Sequence, residues 1–129
     1  MKNDTNNING FRDLRIVDNF YQTSSFFPMP TTEIGTLSES GQTNLGSYSL
    51  CFPYYIAGKD YYAMLLCCRN SSNTAKNILR TGKCTINFIS DKEKFFEEAV
   101  RLGYPGETTE EKMKDCIFTL VDGKSAKDN

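Results

Sequence analysis

The chain has 129 residues and a net charge of -1, with 39% hydrophobic and 24% charged residues. That length suits one domain with a modest core that needs no staples. The near-neutral charge removes the electrostatic reason to expect nucleic acid or an anionic membrane surface as a partner. No window approaches the length of a membrane-spanning helix, and the start, Met1-Lys2-Asn3-Asp4-Thr5-Asn6-Asn7, is polar and unlike a signal peptide. A cytoplasmic location without a membrane partner is therefore expected.

The cysteines (Cys51, Cys67, Cys68, Cys84, Cys116) are odd in number and lack C-x-x-C spacing, and the chain has no histidine. No metal site is expected, because zinc needs four closely arranged ligands; buried reduced thiols are expected instead. The missing histidine also removes Ser-His and Cys-His nucleophilic catalysis and the usual neutral-pH proton shuttle. An enzyme built on this sequence should rely on something other than side-chain acid–base chemistry.

Residues 1–20 form a polar N-terminal segment whose Asn-rich first ten residues are expected to be mobile. Phe11 to Phe27 mixes charges with apolar residues and leads into a domain spanning 21–123. Pro28 and Pro30 hold the backbone extended before a first strand, Thr31 to Leu37. Ser38 to Gln42 is a turn signal, and Asn44 to Phe52 reads as the returning strand of a hairpin. Pro53 to Asp60 reads as a loop with Tyr54, Tyr55 and Gly58. Tyr61 to Cys68 is an apolar run, best read as a strand buried on both faces.

Asn73 to Thr81 is expected to be a short helix with Ala75, Ile78 and Leu79 on one face and Gly82 as its C′ residue. Lys83 to Ile89 alternates as a strand, with Cys84, Ile86 and Phe88 on one side. Ser90-Asp91-Lys92-Glu93 has capping-box spacing and opens a helix with Phe95, Phe96, Ala99 and Val100 as its stripe, stopped by Gly103-Tyr104-Pro105-Gly106. A second capping box, Thr108-Thr109-Glu110-Glu111, starts a short helix to about Lys114. Cys116 to Val121 reads as another strand, and 124–129 is a polar tail. About five strands and three short helices, without regular strand–helix alternation, predict a mainly β, α+β fold: an antiparallel barrel or sheet with peripheral helices.

Two segments carry candidate binding chemistry. In Arg69-Asn70-Ser71-Ser72-Asn73-Thr74-Ala75-Lys76-Asn77-Ile78, hydroxyl and amide side chains meet a helix N-terminus, where unpaired N–H groups and the dipole favour an anion. Arg69 could add a bidentate phosphate contact. Taken alone, plain capping by Ser72 or Asn73 outweighs that reading. In Gly41-Gln42-Thr43-Asn44-Leu45-Gly46-Ser47-Tyr48-Ser49, small polar groups line a half-buried strand, and Gly46 would admit a flat ligand close to the backbone. A polar outer face with Gly46 at a bulge outweighs that reading in isolation.

Order and spacing of the two together resemble the flavin reductase-like, FMN-binding split-barrel family. The resemblance rests on Thr31-Thr32, a Gly turn, Asn44-Leu45-Gly46-Ser47-Tyr48-Ser49, Ser71 to Ile78, and Gly82-Lys83-Cys84-Thr85-Ile86-Asn87-Phe88, and it runs from about Tyr21 to Gly123. It implies an antiparallel Greek-key split barrel with short peripheral helices. It further implies that Asn44, Gly46, Ser47 and Ser49 line the isoalloxazine and ribityl portion of FMN, while Ser71, Ser72 and Thr74 hold the phosphate. Asn77 and Asn87 match family positions too; fixing the helix and strand outweighs ligand contact there, although Asn77 stays within the cofactor-binding set. No catalytic side chain is implied.

Departures from the family pattern are also legible. Phe26-Phe27-Pro28-Met29-Pro30 replaces the apolar residues that usually precede the Thr-Thr pair. Relatives continue beyond the position of Gly123 with strands that complete the barrel. A fragment, a truncated gene product, or a barrel completed by another chain is therefore expected. Tyr54, Tyr55, Tyr61 and Tyr62 could stack on a ligand or partner, with packing as the weightier role. The resemblance implies a homodimeric flavin oxidoreductase in which NAD(P)H delivers hydride to FMN for an onward acceptor, the cofactor doing the chemistry. A non-enzymatic FMN-binding or electron-carrier module is the alternative, followed by a small β-domain without a cofactor.

Overall fold

The computed structural model describes residues 30–56 and 61–122. The expectations for residues 1–20, for Phe11 to Phe27 and for the tail 124–129 lie outside the described residues. The elements are β1 (Thr32–Leu37), β2 (Thr43–Tyr48), β3 (Cys51–Ile56), β4 (Tyr61–Leu66), α1 (Asn73–Thr81), β5 (Thr85–Phe88), α2 (Glu93–Gly103) and α3 (Thr109–Met113). The strands form an antiparallel sheet in the order β2-β1-β5 and a separate antiparallel ribbon, β3-β4. The architecture is mixed α+β with short helices, and the described strands do not close into a barrel.

The β1-β2 hairpin forms where the turn residues demand it. Ser38 N–H donates to the Gln42 carbonyl (2.9 Å), Gln42 N–H donates to Ser38 Oγ (3.1 Å) and Gly41 takes a left-handed φ of 82°. Register then sorts the side chains. Glu33 lies opposite Ser47 and Asn87, and Gly35 opposite Leu45 and Thr85, so these share one face. Thr32, Ile34 and Thr36 share the other with Asn44, Gly46 and Tyr48. α2 covers the first face and α1 the second. The apolar cluster is small: Leu45, Leu102 and Met113, with Cys116 and Phe118 packed against it.

Several sequence expectations need correction. The returning strand stops at Tyr48, bends at Ser49-Leu50 and resumes as β3, so the segment read as a loop from Pro53 is strand as far as Ile56, its remainder lying outside the described residues. Among the described residues β3 has a ladder partner on one side only, so a residue without an N–H is tolerated there. β4 is not buried on both faces; Met64 and Leu65 are exposed because a two-stranded ribbon has no covering layers among the described residues. In α1 the buried residues are Thr74, Ala75 and Asn77, while Leu79 is 83% exposed. The sheet face opposite offers hydroxyl and amide groups, so the helix turns its polar side inward.

The Ser90 capping box does not form. α2 has Lys92 as its N-cap with no side-chain bond, since burial of Glu98, Ala99 and Leu102 sets where the helix starts. Cys116 to Val121 is irregular rather than a strand: among the described residues it has no ladder partner, and it lays Cys116 and Phe118 on the core cluster. Phe88 is exposed, against its expected inward side, and of the thiols only Cys51 is buried. The other thiols sit in the uncovered ribbon exit, before β5 and in the irregular segment. The caps of α1 (Ser72 and Gly82, φ 67°) and the Thr108–Glu111 capping box of α3 form as the spacing dictates.

The interior is held by a polar hub as much as by its apolar cluster. Asn44, fully buried, donates from Nδ2 to Thr36 Oγ1 and Thr74 Oγ1 (each 3.4 Å) and accepts at Oδ1 from Thr109 Oγ1 (3.2 Å). Asn77 Nδ2 donates to the same Thr36 hydroxyl at 3.1 Å. One side chain thus ties β1, β2, α1 and α3. Asn44→Ala leaves buried hydroxyls without partners and should cost about 2–4 kcal/mol in denaturant unfolding. Exposed Leu79→Ala should cost under about 1 kcal/mol in the same assay.

Candidate functional site

A cleft of about 900 Å³ opens where the end of β2, the chain leaving β4, the start of α1 and the α2–α3 connection meet. Gly46 to Leu50 form one wall, and Cys67, Cys68 and Arg69 the next. Ser71, Ser72, Asn73 and Lys76 lie at the start of α1, and Leu102 to Thr108 complete the enclosure. Local chemistry sets each wall. Ser72 caps α1 by accepting the Ala75 N–H at 3.1 Å, which leaves the first N–H groups of the helix without intrahelical partners. Asn73 Nδ2 donates to the Glu107 carbonyl at 2.9 Å, tying the start of α1 to the α2–α3 connection. Gly106, at φ 108°, turns that connection through a conformation that favours glycine.

Gly46, Ser47, Ser49, Ser71 and Ser72 from the two sequence segments come together on this cleft. Asn44, Thr74 and Asn77 do not line it. Their polar atoms are spent on the buried hub, and Thr74 is only 2% exposed. Gly46 has a different use from the one the sequence suggested. A Cβ built there would sit 2.7 Å from Thr74 Oγ1 and 3.0 Å from the Tyr48 ring, so the glycine admits the first turn of α1 rather than a ligand.

The cleft carries net positive charge. Arg69 and Lys76 line it, exposed and without an ion pair among the described residues, with Glu107 as the opposing charge. A second hollow of about 570 Å³ adjoins it, sharing Ser47, Tyr48, Ser49, Gly103 and Tyr104 and adding Phe96 and Val100. No group of three or more His, Cys, Asp or Glu side chains that could hold a metal occurs among the described residues. No helix among them is long and apolar enough to cross a membrane.

Directly behind the cleft wall lies a group the sequence reading missed. Glu33 is 2% exposed, and Ser47 Oγ sits 2.5 Å from Glu33 Oε1 and 2.5 Å from the Ala99 carbonyl. Glu33 Oε2 is buried with no hydrogen-bond partner. Burial raises the Glu33 acid to about 7, and the nearby Glu98 adds to the rise; Ser47 and the Lys112 charge pull the other way. Burial in turn lowers Lys112. Glu98 is held low first by its hydrogen bonds from Arg101, at 2.8 and 2.6 Å. The missing histidine therefore does not leave the site without a group that titrates near neutrality.

The signal for Glu33 was present in the sequence only as an acid in mid-strand, opposite Ser47 once the hairpin register is fixed. Lys76 lay within the candidate anion segment without a role of its own, Gly103 to Gly106 were read as a helix stop and Thr108 as a cap. A buried acid raised to about 7 binds more protons folded than unfolded between its ordinary range and 7, so its ionisation destabilises the fold as pH rises through that window. Glu33→Gln removes that ionisation. It should stabilise the protein at pH 8 by roughly 1–3 kcal/mol, with the gain fading toward pH 5, measured by denaturant unfolding across pH.

No protein-family model, curated protein or solved structure matches the chain.

Proposed function

We propose that the cleft binds FMN and that the protein is a flavin reductase-like oxidoreductase, taking hydride from NAD(P)H to FMN and on to an acceptor. The observation that carries the reading is convergence: Gly46–Ser49 and Ser71–Ser72, far apart in sequence, face one cleft large enough for a mononucleotide. The phosphate-binding part is then the start of α1, with free backbone N–H groups, the Ser71 and Ser72 hydroxyls, and the Arg69 and Lys76 charges. Asn44, Thr74 and Asn77 support that part from behind. Leu50, Tyr48 and Tyr104 offer the ring system apolar and aromatic walls. Bound FMN supplies the hydride chemistry, which suits a chain without histidine.

The adjoining hollow along Phe96, Val100 and Tyr104 offers room for a nicotinamide beside the same wall. The exposed Phe52, Tyr54, Met64 and Leu65 of the β3-β4 ribbon favour a homodimer in which a second copy covers the ribbon and completes a split barrel.

Two measurements test the reading. FMN added to the purified protein should lose fluorescence and sediment with it; protein that stays colourless after incubation contradicts the reading. Arg69→Ala and Lys76→Ala should each weaken FMN about tenfold, the size of one charge-assisted contact. Riboflavin affinity and the melting temperature should stay unchanged. Equal losses for FMN and riboflavin would reject the phosphate assignment.

A further inference from the structure

We infer that Glu33 is a stored proton behind the cleft, a neutral carboxylic acid whose ionisation is coupled through Ser47 to an anion bound in front of it. The inference rests on the flavin reading for the identity of that anion, FMN, whose phosphate that reading seats at the start of α1 in the same cleft. Its geometric basis is a count of hydrogens. Ser47 Oγ lies 2.5 Å from both Glu33 Oε1 and the Ala99 carbonyl. A hydroxyl has one hydrogen to donate, and here it meets two oxygens. Both contacts are hydrogen bonds when the carboxyl carries the second hydrogen: Glu33 donates to Ser47, and Ser47 donates to Ala99. Glu33 Oε2, buried and without a hydrogen-bond partner, fits a neutral acid and is a poor place for half of a carboxylate charge.

The surroundings leave the balance close. From α3, Lys112 favours the ionised form, and from α2, Glu98 opposes it, with Arg101 paired to Glu98. The facing residues of β2 and β5, Ser47, Thr85 and Asn87, are uncharged. Burial outweighs the Lys112 attraction and keeps the acid titrating near neutrality.

Ser47 belongs both to this chain of contacts and to the cleft wall. When Glu33 ionises, the Ser47 hydrogen turns to the carboxylate, the Ala99 carbonyl loses it, and a negative charge appears one side chain behind the cleft. An anion in the cleft opposes that charge. Anion binding near neutrality is thus accompanied by proton uptake: a buffer acid gives up a proton, an O–H bond forms on the Glu33 carboxyl, and the Ser47 hydrogen returns to Ala99. By linkage, raising the pH weakens the anion.

The test uses the full chain with FMN as the probe. FMN affinity is measured from pH 6 to pH 8 for the wild type, Glu33→Gln and Ser47→Ala, together with proton uptake by calorimetry in two buffers of different ionisation enthalpy. The wild type should lose about fivefold in affinity relative to Glu33→Gln over that range, a typical coupling between linked sites. The second ionisation of the phosphate, near pH 6, is common to both proteins and cancels in the comparison. Ser47→Ala, which removes the carboxyl's partner in both the neutral and the ionised form, should move the midpoint. Identical pH profiles in wild type and Glu33→Gln, or an unmoved midpoint in Ser47→Ala, would overturn the coupling. Infrared spectra of the ligand-free protein decide the stored proton separately. A protonated-carboxyl band at pH 6 that Glu33→Gln lacks supports it, and no such band overturns it. Absence of FMN binding at every pH rejects the flavin reading and the coupling with it, while the infrared result still decides the state of Glu33.

Discussion

The amide of Asn44 is the constraint on which the rest of the molecule depends. It is fully buried and meets three threonine hydroxyls from β1, α1 and α3. The apolar cluster among the described residues is small and exerts little hydrophobic pressure to fix where a short helix lies. Directional bonds in a dry space can do so, because each hydroxyl left unpartnered would cost more than the bond contributes. The hub therefore selects one seat for α1, and Gly46 keeps that seat open to within 2.7 Å of a would-be Cβ. The start of α1 then faces the end of β2, and the cleft is the space left between them.

The two sides of the central sheet serve different ends. The α1 side spends its polar groups inside the protein and leaves none of the Asn44, Thr74 or Asn77 side chains for a ligand. On the α2 side, Glu33 stays short of a full set of partners, with one oxygen unbonded. A satisfied network fixes geometry, whereas an unsatisfied acid costs stability and is tolerated where its charge state has a use. Arg69 and Lys76 in front of the wall and Glu33 behind it give the cleft a field that favours an anion and changes with pH.

Local signals in the sequence carried the local structure. The Ser38–Gln42 turn, the caps Ser72 and Gly82 around α1, and the Thr108–Glu111 box were readable because each depends on residues within a few positions of one another. What failed depends on neighbours distant in sequence. Pro53 argued for a loop, and only the one-sided pairing of β3 among the described residues makes it acceptable in a strand. Ala75, Ile78 and Leu79 suggested an apolar face for α1; Ala75 is buried, but the hydroxyls of the opposing sheet draw Thr74 and Asn77 inward and leave Leu79 exposed. Cys116 to Val121 had the composition of a strand but joins no edge among the described residues. In the site, the meeting of the two Ser-rich segments was legible from their order. The division into lining residues and buried supports was not, because it depends on which side of the sheet each one faces. Glu33 was invisible for the same reason.

The central claim is that three separated segments make one ligand site. Amide hydrogen exchange with and without FMN tests it most directly. Exchange should slow in Gly46–Leu50, Ser71–Lys76 and the non-proline residues of Gly103–Thr108, the cleft walls, with the β3-β4 ribbon unchanged. Protection confined to the ribbon, or none in any of the three segments at saturating FMN, would contradict it.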